Sequence, residues 1–391
     1  MVELNFEKIF KLVMICMKIS QCHPETKINK YWVLRSIMIF GVYTLSFLGL
    51  SNCIRYYLIG NDYFNAFKNG VPIIYYVCMM LNFGIFIKKR FQMRNLIESM
   101  KSDYSKACAM DKRSKKIVQG FAAKGRLITI FWGYLMVGTL CTFIVKSIFL
   151  TIYHSKRSGE LRLTSFYEVY YPFNISELRV YNTWVYVPVY LFEVYFTGLT
   201  ELLILWSTTL GPIFMLHACG QLELVKIQFD NIFENDNVDE NLNRIVKRLQ
   251  YIYSFVREIN ECFTLMYEVM LKQSVLLLPF CSFALIQSIK RRQVTVEFSG
   301  VLLQSVITSS IPCYYGDLLL QKGEDLRFAA YNCGWERVHK PKACKTLLII
   351  MTRATRPVAI ESIFSSICLD TLTNVFSQAY TIFNLCLQFG E

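Results

Sequence analysis

Long uncharged apolar runs recur along this chain, and they decide what it can fold into. A helix needs roughly 20 apolar residues to cross the bilayer core. Runs of that kind lie at about 31–59, 71–87, 127–153, 183–219, 271–289 and 298–320. Arg35 and Arg55 stand near the ends of the first run, where long side chains reach the interface. Lys88, Lys89 and Arg90 close the second, Lys146 stands near the far end of the third, and Lys290, Arg291 and Arg292 close the fifth. The stretch 346–389 is too long for one crossing and contains Arg353, Arg356, Pro357, Glu361 and Asp370. It reads as a polar-interrupted helix over 346–365 followed by a true span at about 368–389. The pattern predicts seven crossings.

Composition agrees. Only 18% of residues are charged, against about 25% in soluble domains. The chain carries 30 Phe and 24 Tyr, and its mean hydropathy is +0.33. Disordered, collagen-like and ordinary soluble-enzyme chains are thereby excluded. Glu3, Glu7, Lys8, Lys11 and Lys18 break up the first 20 residues, so no signal peptide is expected. No internal repeat supports a transporter built from two similar halves.

Lys and Arg are retained in cytoplasmic loops. Segments 1–30, 88–126, 220–270 and 321–345 hold 28 of them, and the segments on the opposite side hold 8. This asymmetry predicts a cytoplasmic N-terminus and an extracellular C-terminus, the reverse of a G-protein-coupled receptor. The sequon Asn174-Ile175-Ser176 then falls outside, where glycosylation occurs. The net charge of +13 needs no nucleic acid, because it is concentrated in inside loops that can face anionic lipid.

In the long inside segment, Leu242, Ile245, Leu249, Ile252, Val256, Ile259 and Phe263 follow steps of three and four, and Met266 and Met270 continue the stripe. A helix is expected to rise from the cytoplasm straight into the fifth span. Its apolar face packs either within the chain or between subunits. Chemistry-bearing patterns are missing: there is no phosphate-loop, dinucleotide or zinc-protease motif. The four histidines lack acidic or cysteine partners at ligand spacing, and the fourteen cysteines show no Cys-x-x-Cys. They read as small apolar residues. Glu193 and Glu201, eight apart in the fourth span, are either a proton relay or structural polar contacts. Neither an enzyme nor a cofactor is indicated.

The C-terminal third holds a series of short motifs. It reads Pro312-Cys313-Tyr314-Tyr315-Gly316-Asp317-Leu318-Leu319, Ala330-Tyr331-Asn332-Cys333-Gly334-Trp335, Arg353-Ala354-Thr355-Arg356-Pro357, Cys368-Leu369-Asp370-Thr371-Leu372 and Ala379-Tyr380-Thr381. This order and spacing resemble the insect odorant receptor family over about 80 residues, with Gly334 where the family often has Asp and Leu372 where Phe is common. The tail from Thr381 to Gln388-Phe389 also has the spacing of the related gustatory receptors, with Ile382 where those have Tyr. A gustatory channel with a polar ligand is the alternative; the Arg-Ala-x-Arg-Pro and Trp335 elements favour the odorant branch.

The resemblance implies an all-α membrane protein of seven transmembrane helices with a cytoplasmic helical anchor layer. Residues 1–320 would form a six-helix bundle with an odorant pocket in its outer half, and 321–391 the anchor segment and pore-lining seventh helix. It implies a ligand-gated cation channel in the plasma membrane of olfactory neuron dendrites. There the tuned subunit joins an obligate odorant receptor coreceptor in a mixed tetramer. Leu385 and Phe389, four apart on one helix face, match the family's hydrophobic gate, and Gln388 a polar position beside it. Asn384 is a second polar candidate. The implied pocket, between the second, third, fourth and sixth spans, takes Tyr75, Tyr76, Met79, Phe143, Ser147, Ile148, Val189, Phe192, Phe196, Val301 and Ser305 as candidates. Such a lining suits a small volatile ligand.

Overall fold

The computed structural model describes residues 4–167, 171, 175–230, 232–233, 237–292, 296–337 and 340–390. Among these the elements are α1 (Phe6–Ile9), α2 (Lys11–Ile19), α3 (Lys30–Ile59), α4 (Tyr63–Cys108), α5 (Lys112–Ser158), α6 (Ile175–Tyr181), α7 (Thr183–Asp230), α8 (Val238–Lys290), α9 (Val296–Tyr331), a 3-10 turn at Trp335–Arg337, α10 (Pro341–Ala354) and α11 (Leu369–Gly390). The described residues contain no strand, only an isolated bridge between Glu361 and Ser366.

Helix ends follow local chemistry. The side chain of Asn29 accepts from Trp32 N at 2.8 Å, and that of Asp111 accepts from Arg113 N and Ser114 N at 3.0 Å each. Both satisfy donors that a first turn leaves open. Gly159, at φ +73°, closes α5 in the left-handed conformation. The basic cluster 88–90 ends an apolar run without ending the helix, since Lys and Arg are good helix formers. The segment 88–126, expected as a loop, is therefore helical apart from residues 109–111.

Among the described residues, five helices are long and apolar enough to cross a membrane: α3, α4, α5, α7 and α8. In α9 and α11, polar residues such as Gln304, Ser309, Asn374 and Asn384 dilute the apolar run. The α9 hydroxyls return to their own backbone: Ser305 to Val301 O at 2.8 Å, Thr308 to Gln304 O at 2.8 Å and Ser310 to Val306 O at 2.7 Å. These three hydroxyl hydrogens are thus satisfied within the helix, away from water. Helix α9 packs on α5, α7 and α8, and α11 packs on α8 and α9. The centre belongs to α7: 89% of its most apolar stretch is buried, against 22% for α3.

The whole α8 stripe from Leu242 to Met270 is buried inside the single chain. Intrachain packing alone accounts for it. At the same end of the molecule Asp103 of α4 joins α7 and α8. Its Oδ2 lies 3.1 Å from His217 Nε2 and 3.6 Å from Arg248, and it accepts from the Tyr251 hydroxyl at 2.9 Å. Burial pushes this carboxyl up, but His217, Arg248 and Tyr251 outweigh it and hold its pKa below the ordinary aspartate range. His217 thus has an acidic partner that local spacing cannot show, because Asp103 precedes it by 114 positions.

The helix expected over 346–365 stops at Ala354. Pro357 lacks a donor and disfavours helical geometry at Arg356. The following stretch is irregular and held by α8: Asn260 donates to Ala359 O and accepts from Glu361 N, both at 3.0 Å. The Arg353 guanidinium sits 4.3 Å from the Tyr253 ring centre. Gly316 of α9 meets this stretch so closely that an added Cβ would lie 2.0 Å from Ile367 O.

At the end of the bundle that carries α6, Glu193 of α7 fastens the connection from α5. Its carboxylate accepts from the Tyr171 hydroxyl at 2.7 Å and Tyr167 N at 3.2 Å, and it pairs with Arg179 at 3.5 Å. This favours the structural reading of Glu193 over a proton relay. Hydrogen bonds to a charged group contribute about 1.5–3 kcal/mol each. Glu193→Ala should therefore speed amide exchange around Tyr167 and Tyr171 by at least about tenfold, leaving α8 unchanged. Unaltered exchange there would show that other contacts hold the connection.

Candidate functional site

Behind this fastened connection lies a cavity of about 60 Å³, built by α4, α5, α7, α9 and the inward-dipping residues Phe166 and Tyr167. Helix α4 contributes Lys68, Asn69, Val71, Pro72 and Tyr75; α5 contributes Phe143 and Lys146. From α7 come Phe196, Thr197, Thr200, Glu201 and Ile204, and from α9 come Glu297, Phe298, Val301 and Gln304. The 3.6-residue period sets the α7 spacing, bringing 196/197, 200/201 and 204 to one side. Pro72 removes the helical bond that the Lys68 carbonyl would otherwise accept.

Apolar rings make the floor and one wall. Phe143 and Phe166 stack with centroids 5.2 Å apart, and Tyr167 meets Phe143 edge-on at 5.5 Å. The hydroxyls around the cavity are engaged with one another. Tyr167 and Thr197 share a hydrogen bond of 2.8 Å, Tyr43 and Thr200 one of 2.8 Å, and Tyr75 and Ser305 one of 3.3 Å. Gln304 donates to Glu201 at 3.1 Å. Lys146 and Glu297 form a buried ion pair across the gap between α5 and α9, with side chains 7% and 2% exposed. The second oxygen of Glu297, Oε2, is buried with no hydrogen-bond partner.

Of the residues expected to line a pocket, the structure brings together Tyr75, Phe143, Phe196 and Val301. Ser305 stands behind Tyr75. The others lie elsewhere. Tyr76 stacks on Phe47 at 4.7 Å, Met79 faces a separate small cavity with Asn82 and Met266, and Phe192 faces another with Ser46 and Leu50. Ser147 donates to Thr164 O at 2.7 Å. Val189 is half-buried, and Ile148, 53% exposed, points out of the bundle. On α11, Leu385 and Gln388 are exposed; the Phe389 side chain and Asn174 lie outside the described residues.

Sequence reading missed the polar half of the cavity: Lys68, Asn69, Lys146, Gln304 and Glu297 were not candidates, and neither were Phe166 and Tyr167. A signal existed for one pair. Lys146 and Glu297 are opposite charges at the ends of two apolar runs, and intramembrane charges pair by default. Nothing local could say that the Phe166–Tyr167 turn dips inward. Among the described residues no cluster of His, Cys, Asp and Glu could hold a metal ion.

Residues 63–380 match the family model described as 7tm Odorant receptor. Over 172 residues the chain is 23% identical to Odorant receptor 67c of Drosophila melanogaster; that match spans 43% of this chain and 42% of the relative. Its fold is similar to that of the insect olfactory receptor OR5 from Machilis hrabei, with a TM-score of 0.79 at 15% identity over 98% of both chains. The same receptor in complex with eugenol gives 0.80, again at 15% identity and 98% coverage of both. The match favours the odorant branch over the gustatory one, and the family is one of receptors rather than enzymes. The chain is an all-α, multi-pass membrane protein, and it belongs to the 7tm odorant receptor family.

Proposed function

We propose that this chain is the odour-tuned subunit of a ligand-gated, poorly selective cation channel, working with the odorant receptor coreceptor in a mixed tetramer. The observation that carries the proposal is that one helix, α9, serves both ends of the process. Glu297, Phe298, Val301 and Gln304 form a wall of the cavity. Further along, Gly316 of the same helix seats on Ile367, two residues before α11 begins. From Val301 to Gly316 is about 22 Å at 1.5 Å per residue.

A cavity of about 60 Å³ is less than half the roughly 150 Å³ that accepts benzene. An odorant therefore binds as the walls part, and it binds the parted arrangement better than the closed one. Only such a difference in affinity shifts the equilibrium. Displacement of α9 reaches α11 through Gly316. Helix α11 buries Val375, Ala379 and Cys386 and leaves Thr373, Asn374, Ser377, Thr381, Asn384 and Gln388 exposed. Such a polar stripe suits a water-filled axis better than lipid. Leu385 and Phe389 then close that axis by dewetting.

On this reading residues 1–320 are the sensing bundle, and 321–391 are the anchor and pore. The N-terminus is cytoplasmic, the C-terminus extracellular, and Asn174 faces the outside. The site of action is the plasma membrane of the olfactory dendrite. The pocket candidates are those that meet at the cavity, with Tyr75, Phe143, Phe196 and Val301 foremost.

Cells expressing this chain with an odorant coreceptor should give a fast cation current to volatiles with G-protein signalling blocked; cells lacking either chain should give none. A current abolished by the G-protein block would overturn the channel reading. Gly316→Ala forces α9 off Ile367, and overpacking of this kind costs about 1–3 kcal/mol. Its volatile binding should persist while the evoked current falls about tenfold or more; equal currents at equal surface density would rule out this joint. Leu385→Ala and Phe389→Ala should each raise basal current severalfold, and unchanged basal current with an unchanged current–voltage relation would remove them from the gate.

A further inference from the structure

We infer that the cavity selects its ligand by a hydroxyl group: a small alcohol or phenol whose apolar body lies on Phe143, Phe196 and Val301 and whose hydrogen goes to Glu297. The inference rests on the odorant reading and deepens it. Glu297 lines the cavity, is 1% exposed, and has one oxygen engaged by Lys146 and the other without any partner. A buried acceptor left unmet is costly, more so for a charged group. Only a donor relieves it.

The neighbouring hydroxyls cannot supply that donor without breaking their own bonds, since Tyr75, Tyr167 and Thr200 are tied to Ser305, Thr197 and Tyr43. A ligand hydroxyl can bring it. With Lys68 and Lys146 set against Glu201 and Glu297, the lining carries no net charge to offset the desolvation of an ammonium, so a neutral donor is favoured over an amine. Ethers, aldehydes and ketones can only accept, and they leave Glu297 Oε2 unmet. A site built to bond a hydroxyl rejects the analogue lacking it far more strongly than an apolar pocket rejects a missing methylene.

The test is equilibrium binding to the purified full chain in lipid nanodiscs, read by displacement of a tritiated six- to ten-carbon alcohol or phenol. The competitors are alcohols and phenols of that size with their methyl ethers, aldehydes and primary amines on the same skeletons. Hydroxyl compounds should bind at least tenfold more tightly than their ethers. Glu297→Gln should reverse the order: Lys146, which only donates, holds the amide oxygen and so turns the amide nitrogen toward the ligand as a donor. The charge-neutral pair Lys146→Gln with Glu297→Gln removes that orientation and should level the series. Should neither variant fold, the wild-type series still decides. Equal binding of alcohols and ethers overturns the inference while leaving the odorant reading standing. A folded wild-type chain that binds no volatile of any class overturns that reading, and this inference with it.

Discussion

Hydrocarbon offers no hydrogen bonds, and most of this structure answers that one constraint. Most backbone groups are satisfied within long helices, several of which run well past the apolar core and form the α10 end of the molecule. Serine and threonine hydroxyls in α9 fold back onto their own carbonyls. Charges inside the bundle come in partnerships: Lys146 with Glu297, Arg179 with Glu193, and Glu201 with Gln304. Where the helical ladder fails, between α10 and α11, Asn260 takes over both of its roles by donating to one backbone carbonyl and accepting from one amide.

How far the sequence could be read follows from the range of the forces involved. The α8 stripe was legible because a three-and-four repeat reports which residues share a face, and every member from Leu242 to Met270 is buried. Helices α3, α7 and α8 announced themselves through apolar length. The end of α10 was harder: the apolar letters Val358, Ile360 and Ile363 continue past Pro357, and hydropathy does not register a missing donor. The cavity was half legible. Aromatic candidates on the right helices could be named, yet the rotation of each helix decides which of Tyr75, Tyr76 or Ile148 faces inward, and near-uniform apolar faces leave rotation unmarked. Pairings such as Asp103 with His217 depend on contacts across 114 positions and have no local trace.

The C-terminal motifs become intelligible as joints. Gly316 is the point where α9 touches the approach to α11, and no side chain fits there. Arg353 lies on the Tyr253 ring, Pro357 ends α10, and the Thr371 hydroxyl donates to Ser366 O at 2.6 Å at the start of α11. Gly334, one of the departures from the family pattern, sits at φ +82°, a conformation natural to glycine and strained for most residues. Trp335 then donates to Tyr331 O at 3.0 Å and closes the end of α9. These elements fix how helices meet rather than what they bind.

The burial of α7 has a consequence for how such a chain can change. Because α7 is wrapped by α2, α3, α4, α5, α6, α8 and α9, a new side chain at Phe196 or Ile204 must satisfy several neighbours at once. Helix α5 is different: the face opposite Phe143 carries Val137, Val145 and Phe149, all exposed to the surroundings. A larger or smaller residue at Phe143 can be absorbed by a slight roll of α5 into a fluid boundary. On the proposed function, chemical preference can therefore drift through the rim helices over generations, while α7 keeps the shape within which each new preference is expressed.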